Sequence, residues 1–176
     1  CDAHTFDQIV YDAALAFDVS SASWGASLLT QAIEKEFTVL RLFAGSDYAL
    51  DIPTPRGRIR LCGSGDDTHY SQDCALLIDL GGNDAYYGAT AASSPSLPVS
   101  ITIDMEGNDR YINEHEGLPS QGAGILGFGV LADLSVDDTY SSRTFSQGCG
   151  RFGVGVLYDA AGKDSYTSLG FAQGAG

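Results

Sequence analysis

One short pattern governs what this chain can become. An aspartate, a second aspartate five residues on and a tyrosine two beyond that recur as Asp79/Asp84/Tyr86, Asp104/Asp109/Tyr111, Asp133/Asp138/Tyr140 and Asp159/Asp164/Tyr166. A second signature keeps a regular 26-residue period, as Gln121-Gly122-Ala123-Gly124, Gln147-Gly148-Cys149-Gly150 and Gln173-Gly174-Ala175-Gly176. Self-similarity at such a period is the mark of stacked supersecondary units, none of which buries its apolar surface alone. A degenerate first copy is Cys62/Asp67/His69, where Gly65-Asp66-Asp67 replaces Gly82-Asn83-Asp84.

Each copy is preceded by an alternating apolar run. Aligned, the runs give the columns Cys74/Val99/Phe128/Val154, Leu76/Ile101/Val130/Val156 and Ile78/Ile103/Ala132/Tyr158, which read as one strand face turned to the core. The intervening column Ala75/Ser100/Gly129/Gly155 is small and reads as the outward face. The spacing predicts a mainly β, parallel β-helix-like solenoid over residues 55–176. Its alternative is an antiparallel hairpin per repeat, similar to MORN-type sheets, which Gly153–Leu157 followed by Gly162 and Tyr166 resembles.

Ahead of the repeats the texture differs. Apolar residues at helical spacing predict amphipathic helices over 5–17 and 23–43, and Asp51-Ile52-Pro53-Thr54-Pro55 reads as a stiff linker. Residues 1–54 are thus expected to form a helical cap shielding the first coil. A chain that ends inside a repeat offers an uncapped edge, which predicts end-to-end self-association.

Charge narrows the partners. Lys and Arg total 9 against 23 Asp and Glu, a formal charge of -14 that repels phosphate backbones and anionic lipid alike. Nucleic acid is therefore not an expected partner, and no apolar run is long enough for membrane insertion. Polysaccharide or a cell-surface protein is the expected one. Of the acidic residues 18 are Asp and 5 are Glu, as when carboxylates occupy turns and short-armed oxygen sites.

Stacking repeats at about 4.8 Å would align Asp84, Asp109, Asp138 and Asp164 in one column and Asp79, Asp104, Asp133 and Asp159 in another. Like charges at that separation repel by about 0.9 kcal/mol per pair in water and more where water is excluded. Calcium, which takes six to eight oxygens, is a natural counter-ion, with one ion per gap and Asp66 and Asp67 as the ligands of the first copy. Lys163, replacing a neutral residue beside Asp164, is expected to neutralise the last gap. The competing reading needs no ion: aspartates in such turns accept backbone N–H groups. Both stay open on the sequence.

The segments Gly81-Gly82-Asn83-Asp84-Ala85-Tyr86 and Glu106-Gly107-Asn108-Asp109-Arg110-Tyr111 resemble the glycine–aspartate nonapeptide of RTX, or hemolysin-type, calcium-binding β-rolls. The resemblance implies secreted, calcium-stabilised parallel coils. It departs from that family in repeating once per coil of about 26 residues rather than every nine.

No standard catalytic fingerprint occurs, and His4, His69 and His115 are scattered. The expected role is an extracellular, secreted or cell-surface structural or adhesive module. The alternative is a carbohydrate-active enzyme, a lyase or hydrolase, with His115, Arg110 and Glu114 as its catalytic candidates. The tyrosines are expected to form a packing ladder, Gln121, Gln147 and Gln173 an amide ladder, and His69 to stack in the tyrosine column.

Overall fold

The computed structural model describes residue 12, residues 15–16 and residues 18–176, so the helix expected over 5–17 lies, those three positions apart, outside the described residues. The second expected helix is α1 (Val19–Leu40). It starts earlier than the apolar spacing suggested because Asp18 caps it: Oδ1 accepts the Ser21 N–H at 3.1 Å and Oδ2 the Ser21 hydroxyl at 2.6 Å. Turns follow it as far as Gly45, whose φ of 71° is left-handed.

The strands are β1 (Leu50–Thr54), β2 (Gly57–Cys62), β3 (Thr68–His69), β4 (Cys74–Asp79), β5 (Ala85–Tyr87), β6 (Val99–Asp104), β7 (Arg110–Ile112), β8 (Gly124–Ile125), β9 (Phe128–Asp133), β10 (Thr139–Ser141), β11 (Gly150–Arg151), β12 (Val154–Asp159) and β13 (Ser165–Thr167). One sheet runs β1-β2-β4-β6-β9-β12, a second β3-β5-β7-β10-β13, and β8 pairs with β11 on a third side. Apart from β1 with β2, every pairing is parallel. Asp79, Asp104, Asp133 and Asp159 are register partners in turn, and so are Tyr86, Tyr111, Tyr140 and Tyr166. The chain is thus a parallel β-solenoid, and the hairpin-per-repeat alternative is excluded. The first copy begins the stack, with Cys62 against Asp79 and His69 against Tyr86. Cys62, Cys74 and Cys149 are free thiols, and the parallel register keeps Cys62 away from Cys74 by pairing them with Asp79 and Arg58 respectively.

Three expectations need correction. Residues 51–55 are not simply a linker: most of them lie in β1, which closes the first edge of the long sheet by an antiparallel turn onto β2. Pro53 fits there because an edge strand need not donate from every residue. Second, α1 does not shield the first coil end-on. It lies across the long sheet, with Leu29, Ile33 and Leu40 packed on a layer that includes Ile101, Ile103, Val130 and Ala132.

Of the apolar columns expected to fill the solenoid, Leu76/Ile101/Val130/Val156 and Ile78/Ile103/Ala132 instead face outward into the layer beneath the helix, Val99 and Tyr158 are exposed, and the opposite face is also buried. Leu77 and Leu131 point into the coil with Tyr86, Tyr111 and Tyr140, joined by Cys74, whose strand shifts register against β2. The small column also faces inward, where a Cβ on Gly129 would stand 2.1 Å from the Ala123 carbonyl oxygen and one on Gly155 2.2 Å from that of Cys149. Small residues are required there because the third side of each coil crosses directly beneath them.

Candidate functional site: the carboxylate columns

The tyrosine ladder is realised. Rings of Tyr86, Tyr111, Tyr140 and Tyr166 stack at 4.6 to 4.8 Å between centroids, and His69 stacks on Tyr86 at 4.6 Å. Each hydroxyl reaches an aspartate of the column that begins at Asp79. Tyr86 donates to Asp104 Oδ2, Tyr111 to Asp133 Oδ2 at 2.8 Å, and Tyr140 and Tyr166 both to Asp159 Oδ2 at 3.1 and 2.5 Å. The glutamines do not pair with one another. Gln121 Nε2 donates to the carbonyls of Tyr111 and Ser141, and Gln147 Nε2 to those of Tyr140 and Thr167, so each ties its own coil to the next. A backbone acceptor already fixed in place prevails over a second mobile amide.

The column that begins at Asp84 clasps neighbouring coils. Asp84 Oδ1 accepts the Asp67 N–H at 2.5 Å, Asp109 Oδ1 that of Asp84 at 2.6 Å, Asp138 Oδ1 that of Asp109 at 2.7 Å and Asp164 Oδ1 that of Asp138 at 3.0 Å. This is the Asx-type role weighed above, acting between coils instead of within a turn. Glycine permits the approach: Gly107 has φ 145°, and a Cβ there would fall 1.6 Å from the Gly82 carbonyl oxygen.

Those bonds use only half of each carboxylate. Asp84 Oδ2, Asp104 Oδ1, Asp109 Oδ2 and Asp138 Oδ2 are buried with no hydrogen-bond partner. Their residues belong to three triads, Asp84/Asp104/Asp109, Asp109/Asp133/Asp138 and Asp138/Asp159/Asp164, in each of which one carboxylate oxygen per residue lies within 4.8 Å of the others. Burial pushes Asp84 and Asp133 up to about 6, Asp109 to about 7 and Asp138 to about 9, and holds Asp104 well above the carboxylate range. Neighbouring carboxylates add to the rise in each case. Such groups need a proton or a cation. The clusters of buried acidic residues could hold a metal ion.

The other predicted ligands sort differently. Asp79 and Asp67 belong to a separate cluster with Cys62 and His69. Asp66 is exposed and serves structure, its Oδ1 accepting the Asn83 N–H at 2.8 Å. Lys163 does not neutralise Asp164: its backbone N–H donates to Asp137 Oδ1 at 2.9 Å, and among the described residues no Lys163–Asp164 ion pair forms. Arg110, Glu114 and His115 do share an open cleft, walled by Tyr70 and Tyr87, whose rings stack at 5.6 Å. Cys62 and His69 as paired donors were hidden in the sequence, although the shared spacing that aligns them with Asp79 and Tyr86 was the available signal.

Compared with family models, curated proteins and solved structures, the chain finds no match.

Proposed function

We propose that this is a calcium-stabilised structural or adhesive repeat module of the extracellular or cell-surface kind, in which ions between coils hold a rigid rod together. The observation that carries the reading is the triad Asp84/Asp104/Asp109, whose three buried carboxylates each keep one oxygen without a partner. An all-oxygen donor set suits calcium over softer metals. The charge also fits, since the three triads draw on seven carboxylates and three divalent ions would bring six positive charges. Asp109 and Asp138 would each be shared by neighbouring ions, so binding in one gap organises the next.

The test is thermal unfolding of the full chain in calcium, magnesium or EDTA. Binding only to the folded state stabilises by about 2.7 kcal/mol per site at a hundredfold excess over Kd. Calcium is expected to raise Tm where magnesium does not. Asp109→Asn, which keeps the carbonyl oxygen for the Asp84 N–H, is expected to remove most of the rise, because it touches two triads. A Tm indifferent to calcium would leave the aspartates as inter-coil clasps alone.

The cleft of Tyr70, Tyr87, Arg110, Glu114 and His115 supports a second reading, a carbohydrate-active surface in which stacked phenol rings meet a sugar face. Its expected signature is quenching of tyrosine fluorescence by acidic oligosaccharide, abolished in Tyr87→Ala.

A further inference from the structure

The first coil obeys the spacing of the others but changes the chemistry. Where later coils place Asp, Asp and Tyr, it places Cys62, Asp67 and His69. The long-sheet register sets Cys62 beside Asp79, and the short-sheet register sets His69 beside Tyr86. The two replacements therefore face the same gap. One thiol, one imidazole and two carboxylates have donor atoms all within 4.8 Å of one another, and His69 Nε2 stands 2.8 Å from Asp79 Oδ2.

Burial makes the group unlike a surface cluster. His69 is 1% exposed, Asp79 0% and Cys62 8%, while Asp67 lies at the exposed margin. His69 Nδ1 is buried without a hydrogen-bond partner. Burial and the Asp79 carboxylate hold the Cys62 thiol up at about 12, so in the absence of a cation the sulfur stays protonated. An open cleft lined by Leu50, Arg60, Cys62 and Asp67 gives an ion a route in from solvent.

We propose that Cys62, Asp67, His69 and Asp79 form a zinc site at the start of the solenoid, distinct in metal from the carboxylate triads. Sulfur and imidazole donors favour zinc over calcium, and four mixed ligands match the closed tetrahedral coordination of a structural zinc site. Binding would exchange the thiol proton for the metal and pin the first coil, which lacks the tyrosine hydroxyl that anchors the aspartate of each later gap.

The probe is cobalt(II), titrated into the full chain, with the thiolate-to-cobalt charge-transfer band as the readout. One equivalent is expected to develop the band, stoichiometric zinc to erase it and excess calcium to leave it intact. Cys62→Ser should abolish it, and His69→Tyr, which installs the residue of the later coils, should weaken cobalt binding at least tenfold. Asp109→Asn should leave the band unchanged, which separates this site from the calcium reading. Should Cys62→Ser fail to fold by circular dichroism, then Cys1→Ser, Cys74→Ala and Cys149→Ala, each keeping the band, assign it to Cys62. No band at one equivalent, a band surviving in folded Cys62→Ser, or displacement by calcium would overturn the proposal.

Discussion

The long sheet has two buried faces, and they hold together by different physics. Its outer face is apolar: Ile101, Ile103, Val130 and Ala132 meet Leu29 and Ile33 of α1, and no directional bond is needed. Its inner face sets Asp104 and Asp133 against the hydroxyls of Tyr86 and Tyr111, where every polar atom needs a partner of the right geometry. The outer face therefore answers to shape and volume, and the inner one to charge and protonation. One strand can serve both because successive side chains point to opposite faces.

The strongest way to break this contrast is Tyr111→Ala. The ring is fully buried between Tyr86 and Tyr140, and its removal also strips Asp133 Oδ2 of its donor. A loss of about 3–5 kcal/mol is expected by chemical denaturation, as for other buried aromatic truncations. Tyr111→Phe, which keeps the stack and removes only the hydroxyl, should lose about 1–3 kcal/mol. If the two variants behaved alike, the hydroxyl–carboxylate bond would carry the ladder and stacking would add little.

Acidity sharpens the contrast further. Asp84, Asp109, Asp133 and Asp138 are all raised above their unfolded values, so between the two values the folded chain binds more protons than the unfolded one. Their contribution is fully present below about pH 4 and is lost as pH rises through the folded values, from about 6 to about 9. In EDTA the protein should therefore be more stable at pH 5 than at pH 8, as urea midpoints would show. A metal-free chain more stable at pH 8 would mean that these carboxylates are not buried as described.

The smallest effect belongs to the outer face. Ile101→Val, one methylene from the helix-covered layer, should lose about 1 kcal/mol, equally in calcium and in EDTA and equally at pH 5 and pH 8. A loss that changed with calcium or pH would show the two faces to be coupled.

Much of this was legible in the residues. Identical spacing of Asp79, Asp84 and Tyr86 in four copies set the register, and with it the columns, the tyrosine stack and the start of the stack at Cys62. Which face of the strand was interior was not legible. Alternation marks two faces but not their direction, and a polar face that satisfies itself by Tyr–Asp bonds looks from the sequence like a solvated one. The glutamine bonds were missed for a related reason: a backbone carbonyl has no sequence signature.

The sequence by itself determined the period, the parallel columns and the acidic residues that share each gap, because identical spacing can be satisfied at every level of a stack only by placing like upon like. Tertiary structure alone decided that α1 covers the flank of the sheet, that the aspartates divide into Tyr-bonded and coil-clasping sets, and that Cys62 and His69 converge on Asp79. Those outcomes depend on how the third side of each coil closes and which way each carboxylate turns, and both are set by contacts between residues distant along the chain.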